Sequence, residues 1–193
     1  MHITITGRLG SGKSTVAKLI AAKHDYTYYS TGTIMRELAA EAGLSICDYN
    51  KRIADDPTED RKIDDRTREV AIERRDENMI FDSRMAWFFA PDTFKVYVTV
   101  DPAVAAARVK IDPRPGEPNS ELEIYGELEE RSKVEQTRFI KFYGEGADYY
   151  NWKNYNLVID STTRTADEVA DAIWAAFEAY LADPADHAYV EML

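Results

Sequence analysis

The 193-residue chain is 45% hydrophobic and 31% charged, enough apolar material for one domain with a full core, and nothing in it reads as disordered or repetitive. Its formal net charge of -11 repels a phosphate backbone, so nucleic-acid binding is disfavoured, while a few arginines in a cleft stay compatible with a small phosphorylated ligand. One cysteine, Cys47, can build neither an internal disulfide nor a zinc site alone, and it reads as a small, partly buried apolar residue on a helix. No stretch nears the roughly 18 apolar residues of a membrane span. The chain opens without a basic, then apolar, leader pattern, so the expected location is the cytoplasm.

In chain order, residues 2–6 alternate apolar and polar and predict a strand, followed by a glycine-rich turn at 7–12. From Ser14 the pattern turns helical, with Val16, Leu19 and Ile20 sharing a face. Residues 26–29 predict a second strand, and 31–42 a helix closed by Gly43. A short helix is expected over 45–54. Asp56-Pro57 starts another that runs to about Arg75, because a capping side chain precedes a proline whose missing N–H costs nothing there. Residues 78–82 and 94–100 predict two more strands, the latter buried on both faces. Asp101-Pro102 repeats the helix-start signal. Residues 111–120 (IDPRPGEPNS) cannot continue a helix, whereas 121–142 is helical and very polar. The last strand is expected at 155–160, and Thr165 with Glu168 forms a capping box for a closing helix to about Ala182. The tail from Asp183 carries no signal.

Five strands alternating with helices imply an α/β fold: a five-stranded parallel sheet covered on both faces, joined by right-handed crossovers. The polar insertion at about 110–142 sits between the fourth and fifth strands and is expected to be a small helical lid.

Gly7-Arg8-Leu9-Gly10-Ser11-Gly12-Lys13-Ser14 fits G-x-x-x-x-G-K-[ST], and it follows a strand and opens a helix as that motif requires. Glycines let consecutive N–H groups point at one phosphate. Lys13 then reaches the β- and γ-phosphates, the Ser14 hydroxyl coordinates magnesium, and the helix start adds its positive dipole end. The expected ligand is a nucleoside triphosphate with magnesium. No N-K-x-D segment is present to read guanine, and the apolar strand 79–81 ends in Asp82-Ser83-Arg84 rather than Asp-Glu. The chain therefore reads as a small-molecule or nucleotide kinase rather than a GTPase or a large ATPase. Asp82, closing an apolar strand beside the loop, is the candidate for the magnesium-side acid. Arg36 and Arg84 suit an acceptor phosphate because a guanidinium donates two parallel bonds; a lone helical arginine such as Arg36 more often pairs with a neighbouring acid.

The segments ITITGRLGSGKSTVAKLIA, STGTIMRELAAEAGLS, DYNKRIADDPTEDRKIDDRT and FDSRMAWFF, with the weaker ERSKVEQTRFIKFYG and YNLVIDST, resemble the archaeal cytidylate kinases and the related cytidylate-kinase-like proteins of bacteria. The resemblance runs from about residue 2 to about residue 174. It implies the nucleoside-monophosphate-kinase form of the three-layer P-loop fold: a single domain with core at about 1–109 and 143–182, an acceptor-binding segment at about 31–75 and a mobile lid at about 110–142. It implies transfer of the γ-phosphate of ATP to CMP or dCMP with Mg2+, and Gly7 to Thr15 would bind the ATP phosphates. Thr31, Arg36 and Arg84 would hold the acceptor, Asp64 would lie near its base, and Arg131 and Arg138 would be the lid arginines that close over the transferring group. Arg108 and Arg114 are reserve candidates for that role.

Two local features depart from the family pattern. Ser83 stands where the family usually has glycine, so its side chain is expected to crowd the acceptor. Glu121, Glu123, Glu127, Glu129 and Glu130 precede Arg131, and most are expected to form a solvated face. Trp87, Phe88 and Phe89 suit either a stacking wall for the base or core packing. The rival readings are a kinase for another small acceptor, and a nucleotide-binding regulatory protein with weak transfer. No membrane or nucleic-acid partner is expected, and the protein is expected to act as a monomer or homodimer.

Overall fold

In the computed structural model, which describes residues 1–54, 57–90, 92–111 and 120–193, the apolar strand segments line up in one parallel sheet. The strands are β1 (Ile3–Gly7), β2 (Thr27–Ser30), β3 (Met79–Asp82), β4 (Phe94–Thr99), β5 (Leu157–Asp160) and β6 (Val190–Met192), in the order β2-β3-β1-β4-β5-β6. The helices are α1 (Lys13–His24), α2 (Thr31–Glu41), α3 (Ile46–Ala54), α4 (Pro57–Glu73), α5 (Ala86–Phe89), α6 (Pro102–Ile111), α7 (Glu121–Tyr143) and α8 (Ala166–Ala182). Asp56, the 112–119 part of the proline-rich break with Arg114, and the side chain of Cys47 lie outside the described residues.

The sheet has six strands, not five. The extra one lies in the tail, where three residues are too few to show a period. Its position depends on distant partners: Val190 N–H donates to the Asn156 carbonyl at 2.8 Å, and Asn156 Nδ2 donates to the Ala188 carbonyl at 3.0 Å.

The layers follow from the side-chain alternation of the strands. Ile3, Ile5, Val96, Val98, Leu157 and Ile159 face α1 and α8, where Val16, Ile20, Val169, Ile173 and Phe177 complete one buried core. Tyr97 and Val158 face the other way and pack with Trp87, Phe89, Phe139, Tyr149 and Tyr155. Trp87 and Phe89 are thus core residues, and Phe88 is the exposed member of the trio.

Several helix starts carry the expected caps. Asp101 Oδ1 accepts from the N–H groups of Ala103 and Val104 at 2.8 and 3.2 Å, and Thr165 with Glu168 completes the capping box of α8. At the end of α2, Gly43 takes the left-handed φ of 69° that a C-terminal cap favours. Among the described residues, no helix is long and apolar enough to cross a membrane.

Candidate active site

The parallel register brings the strand ends to one edge: Ile5 of β1 pairs with Asp82 of β3, and Asp82 pairs with Ser30 of β2. Ligands of open α/β sheets bind at this carboxyl edge. β1 ends at Gly7, where a Cβ would lie 2.3 Å from the Val98 carbonyl oxygen, so only glycine fits against β4. The chain then loops back. Arg8 N–H donates to the Val98 carbonyl at 3.1 Å, and the Ser161 hydroxyl after β5 donates to the Ser11 carbonyl at 3.0 Å. The loop is thereby braced on β4 and β5, and α1 starts at Lys13 with no side-chain cap from Gly12.

Two cavities flank this loop. Lys13, Ser14 and Leu9 line the first, together with Thr31, Arg36, Asp64, Asp82, Arg84, Arg131 and Arg138. The structure therefore gathers every expected acceptor, metal and lid residue against one side of the loop. Gly10, Ser11, Gly12 and Thr15 line the second cavity, with Arg108, Ser161 and Arg164. Arg108 Nη2 donates to the Ser161 carbonyl at 2.6 Å, so this reserve candidate faces the second cavity and not the first. Arg8 lines neither; its guanidinium lies 5.7 Å from the Tyr150 ring centroid, in a small cleft between the loop and α7.

Among the described residues lining the first cavity, five cationic side chains face three carboxylates, in a chain whose net charge is -11. Each acid is tied to a partner. Asp82 accepts from the Tyr28 hydroxyl at 2.7 Å and from the Ser30 hydroxyl at 3.4 Å. Burial pushes the Asp82 carboxyl up, but the Lys13 charge, bonds from Ser14 and Tyr28, and the Arg84 charge outweigh it, and the net direction is down. Asp64 accepts from the Tyr143 hydroxyl at 2.6 Å, which joins α4 to the end of α7. Met35, Ile46, Ile63 and Phe139 contribute apolar lining to the same cavity.

The third acid, Glu135, was not singled out by the sequence. It sits four residues after Arg131 and three before Arg138 on α7, and it is only 4% exposed. Arg84 Nε donates to one of its oxygens and Arg131 Nε to the other, the latter at 3.0 Å. Burial raises its pKa, but Arg84, Arg131 and Arg138 lower it further, to about 2. The same carboxylate moves Arg84 up, against its burial. Of the acids expected to crowd Arg131, Glu121, Glu123, Glu129 and Glu130 are exposed and Glu127 is half-buried.

Ser83 also lines the first cavity, and its Oγ accepts from the N–H groups of Met85 and Ala86 at 3.3 and 3.2 Å at the start of α5.

The cytidylate kinase-like family matches residues 2–163 of the chain. The chain belongs to this family. It is 33% identical to the cytidylate kinase of Archaeoglobus fulgidus over 179 residues, 92% of this chain and 95% of that one. It is also 34% identical to an S-adenosylmethionine-dependent nucleotide dehydratase of Lacinutrix mariniflava over 89% of this chain, but that match spans only 34% of the longer protein. Among solved structures, the shikimate kinase of Bacteroides thetaiotaomicron superposes with a TM-score of 0.54 at 17% identity, covering 92% of this chain and 98% of that one. This last likeness shows the fold, that of P-loop kinases.

Proposed function

We propose that this family member transfers the γ-phosphoryl group of ATP to the phosphate of a nucleoside monophosphate, with CMP or dCMP as the preferred acceptor. One observation carries the reading: the loop lysine Lys13 and the four arginines Arg36, Arg84, Arg131 and Arg138 line a single cavity that also has an apolar lining. Two phosphorylated groups meeting head to head need such a concentration of positive charge, and a smaller neutral acceptor does not.

In this reading the loop and the start of α1 cradle the donor phosphates, and the second cavity takes the donor nucleoside against Thr15, Arg108 and Arg164. Arg36 and Arg84 hold the acceptor phosphate in line. An acceptor oxygen attacks the γ-phosphorus, the bond to the β–γ bridging oxygen breaks, and ADP leaves. Lys13, Arg131 and Arg138 neutralise the charge on the transferring group. The attacking oxygen is already anionic, so no general base is required.

Magnesium is implied by the family, and the residues fit it: the Ser14 hydroxyl and the buried, ionised Asp82 carboxylate are hard oxygen donors beside the loop. When bound, the ion supplies charge neutralisation on the donor phosphates.

The apolar lining and Asp64 support a cytosine. Met35, Ile46, Ile63 and Phe139 suit a flat ring, and Asp64 offers that ring a carboxylate held by Tyr143. A carboxylate accepts from the exocyclic amine of cytosine and repels the carbonyl that uracil presents at the same position.

The test is ADP release from ATP and Mg2+ against a panel of nucleoside monophosphates, with Lys13→Ala as control. Fast, Lys13-dependent turnover on CMP or dCMP is the expected result. ATP binding with no acceptor-dependent turnover would overturn the reading in favour of a regulatory nucleotide-binding protein.

A further inference from the structure

Glu135 has no part in the transfer just described, yet it is the most deeply committed acid of the cavity. Burying a carboxylate costs several kcal/mol unless its partners are well placed. Here they are: each oxygen takes one guanidinium Nε–H, from Arg84 on the loop after β3 and from Arg131 on α7, residues that no local contact would bring together. The two guanidinium side chains are 14% and 17% exposed and both face the cavity. Without an anion between them, two like charges this close would turn apart.

Bonding through Nε has a second consequence. A guanidinium has a fork of donors, and the two bonds to Glu135 use the inner edge of each fork. The Nη groups, which are the ones able to grip a phosphate, are left pointing from a fixed base. We infer that Glu135 is a positioning residue, a buried carboxylate that sets the spacing and direction of Arg84 and Arg131 so that one addresses the acceptor phosphate while the other addresses the transferring group. The inference rests on the phosphate-clamp role given to these arginines above. It adds that one acid welds an acceptor-side arginine to a lid-side arginine, so the two act as a unit.

The decisive experiment has two arms. In the first, the Nε–H signals of Arg84 and Arg131 are followed by NMR in the wild-type protein, assigned with Arg84→Lys and Arg131→Lys. Both signals are expected to exchange slowly with solvent, and both are expected to shift together when CMP or inorganic phosphate is titrated. Rapid exchange at either position would overturn the proposal, whatever the enzyme's activity. In the second arm, Glu135→Gln keeps the size and removes the charge. KM for the acceptor is expected to rise roughly 10- to 100-fold, as for other groups that orient a binding side chain, with KM for ATP within about twofold. Glu135→Asp is expected to recover part of the loss. An acceptor KM equal to wild type in folded Glu135→Gln overturns the proposal, as does an equal rise in both KM values. If the wild-type protein phosphorylates no monophosphate, the functional reading fails separately, and the NMR arm still decides the role of Glu135.

Discussion

The Tyr28 hydroxyl donates a 2.7 Å hydrogen bond to Oδ2 of Asp82, tying β2 to the end of the neighbouring β3. Burial, reinforced by the Asp82 charge, pushes the Tyr28 pKa up to about 12, so the phenol remains a donor at any working pH. The bond fixes the rotamer of the carboxylate assigned to the metal side. Tyr28→Phe is therefore predicted to raise the Mg2+ concentration for half-maximal rate by roughly tenfold, the worth of one charge-assisted bond. Titrating the rate with Mg2+ checks this; an unchanged midpoint would detach Asp82 from the metal.

Gly10 is predicted to reject any side chain. Its φ is 75°, and a Cβ would lie 2.7 Å from Cβ of Ala105 in α6. Gly10→Ala is expected to cost about 1–3 kcal/mol through overpacking alone, read as a drop in melting temperature of about 2–4 °C per kcal/mol. Because the shift distorts the loop, KM for ATP is expected to rise more than KM for the acceptor.

Base selectivity should hinge on Asp64. Asp64→Asn exchanges a pure acceptor for a group that can also donate, so the preference for CMP over UMP is predicted to fall by roughly tenfold. Steady-state kcat/KM with both acceptors measures it. A loss that is equal for CMP and UMP would instead make Asp64 a structural partner of Tyr143.

Acid stability gives a test that needs no substrate. The Glu135 carboxyl lies at about 2 in the fold, against 4.5 ordinarily. A lowered pKa stabilises the fold above the unfolded value, and that stability is lost as the pH falls from about 4.5 towards 2. Asp82 is shifted in the same direction. The wild-type melting temperature is predicted to fall across this window more steeply than that of Glu135→Gln, because the glutamine has no proton to take up.

What the sequence revealed of the site divides along chain distance. The loop was legible because eight consecutive residues carry its chemistry, and Asp82 because an acid ending an apolar strand beside such a loop has few other places to go. Arg36, Arg84, Arg131 and Arg138 were legible as residue types and through the family resemblance. What holds them was not: Glu135 meets Arg84 across 51 positions, and Tyr143 meets Asp64 across 79. The backbone partners of Ser83 were illegible for a related reason, since a hydroxyl that accepts from the following N–H groups looks the same in sequence as one that does not. β6 was missed because an edge strand of three residues is defined by its neighbour, not by its own pattern.

The parallel sheet also decides how the molecule can be handled. Met1 leaves it at the edge remote from the phosphate loop, where its carbonyl accepts from the Tyr26 hydroxyl. Leu193 follows β6 at the opposite edge, and the Met192 carbonyl accepts at 2.9 Å from Arg164, a wall of the second cavity. A purification tag or surface tether attached ahead of Met1 thus keeps clear of both cavities, whereas one attached after Leu193 hangs beside the second.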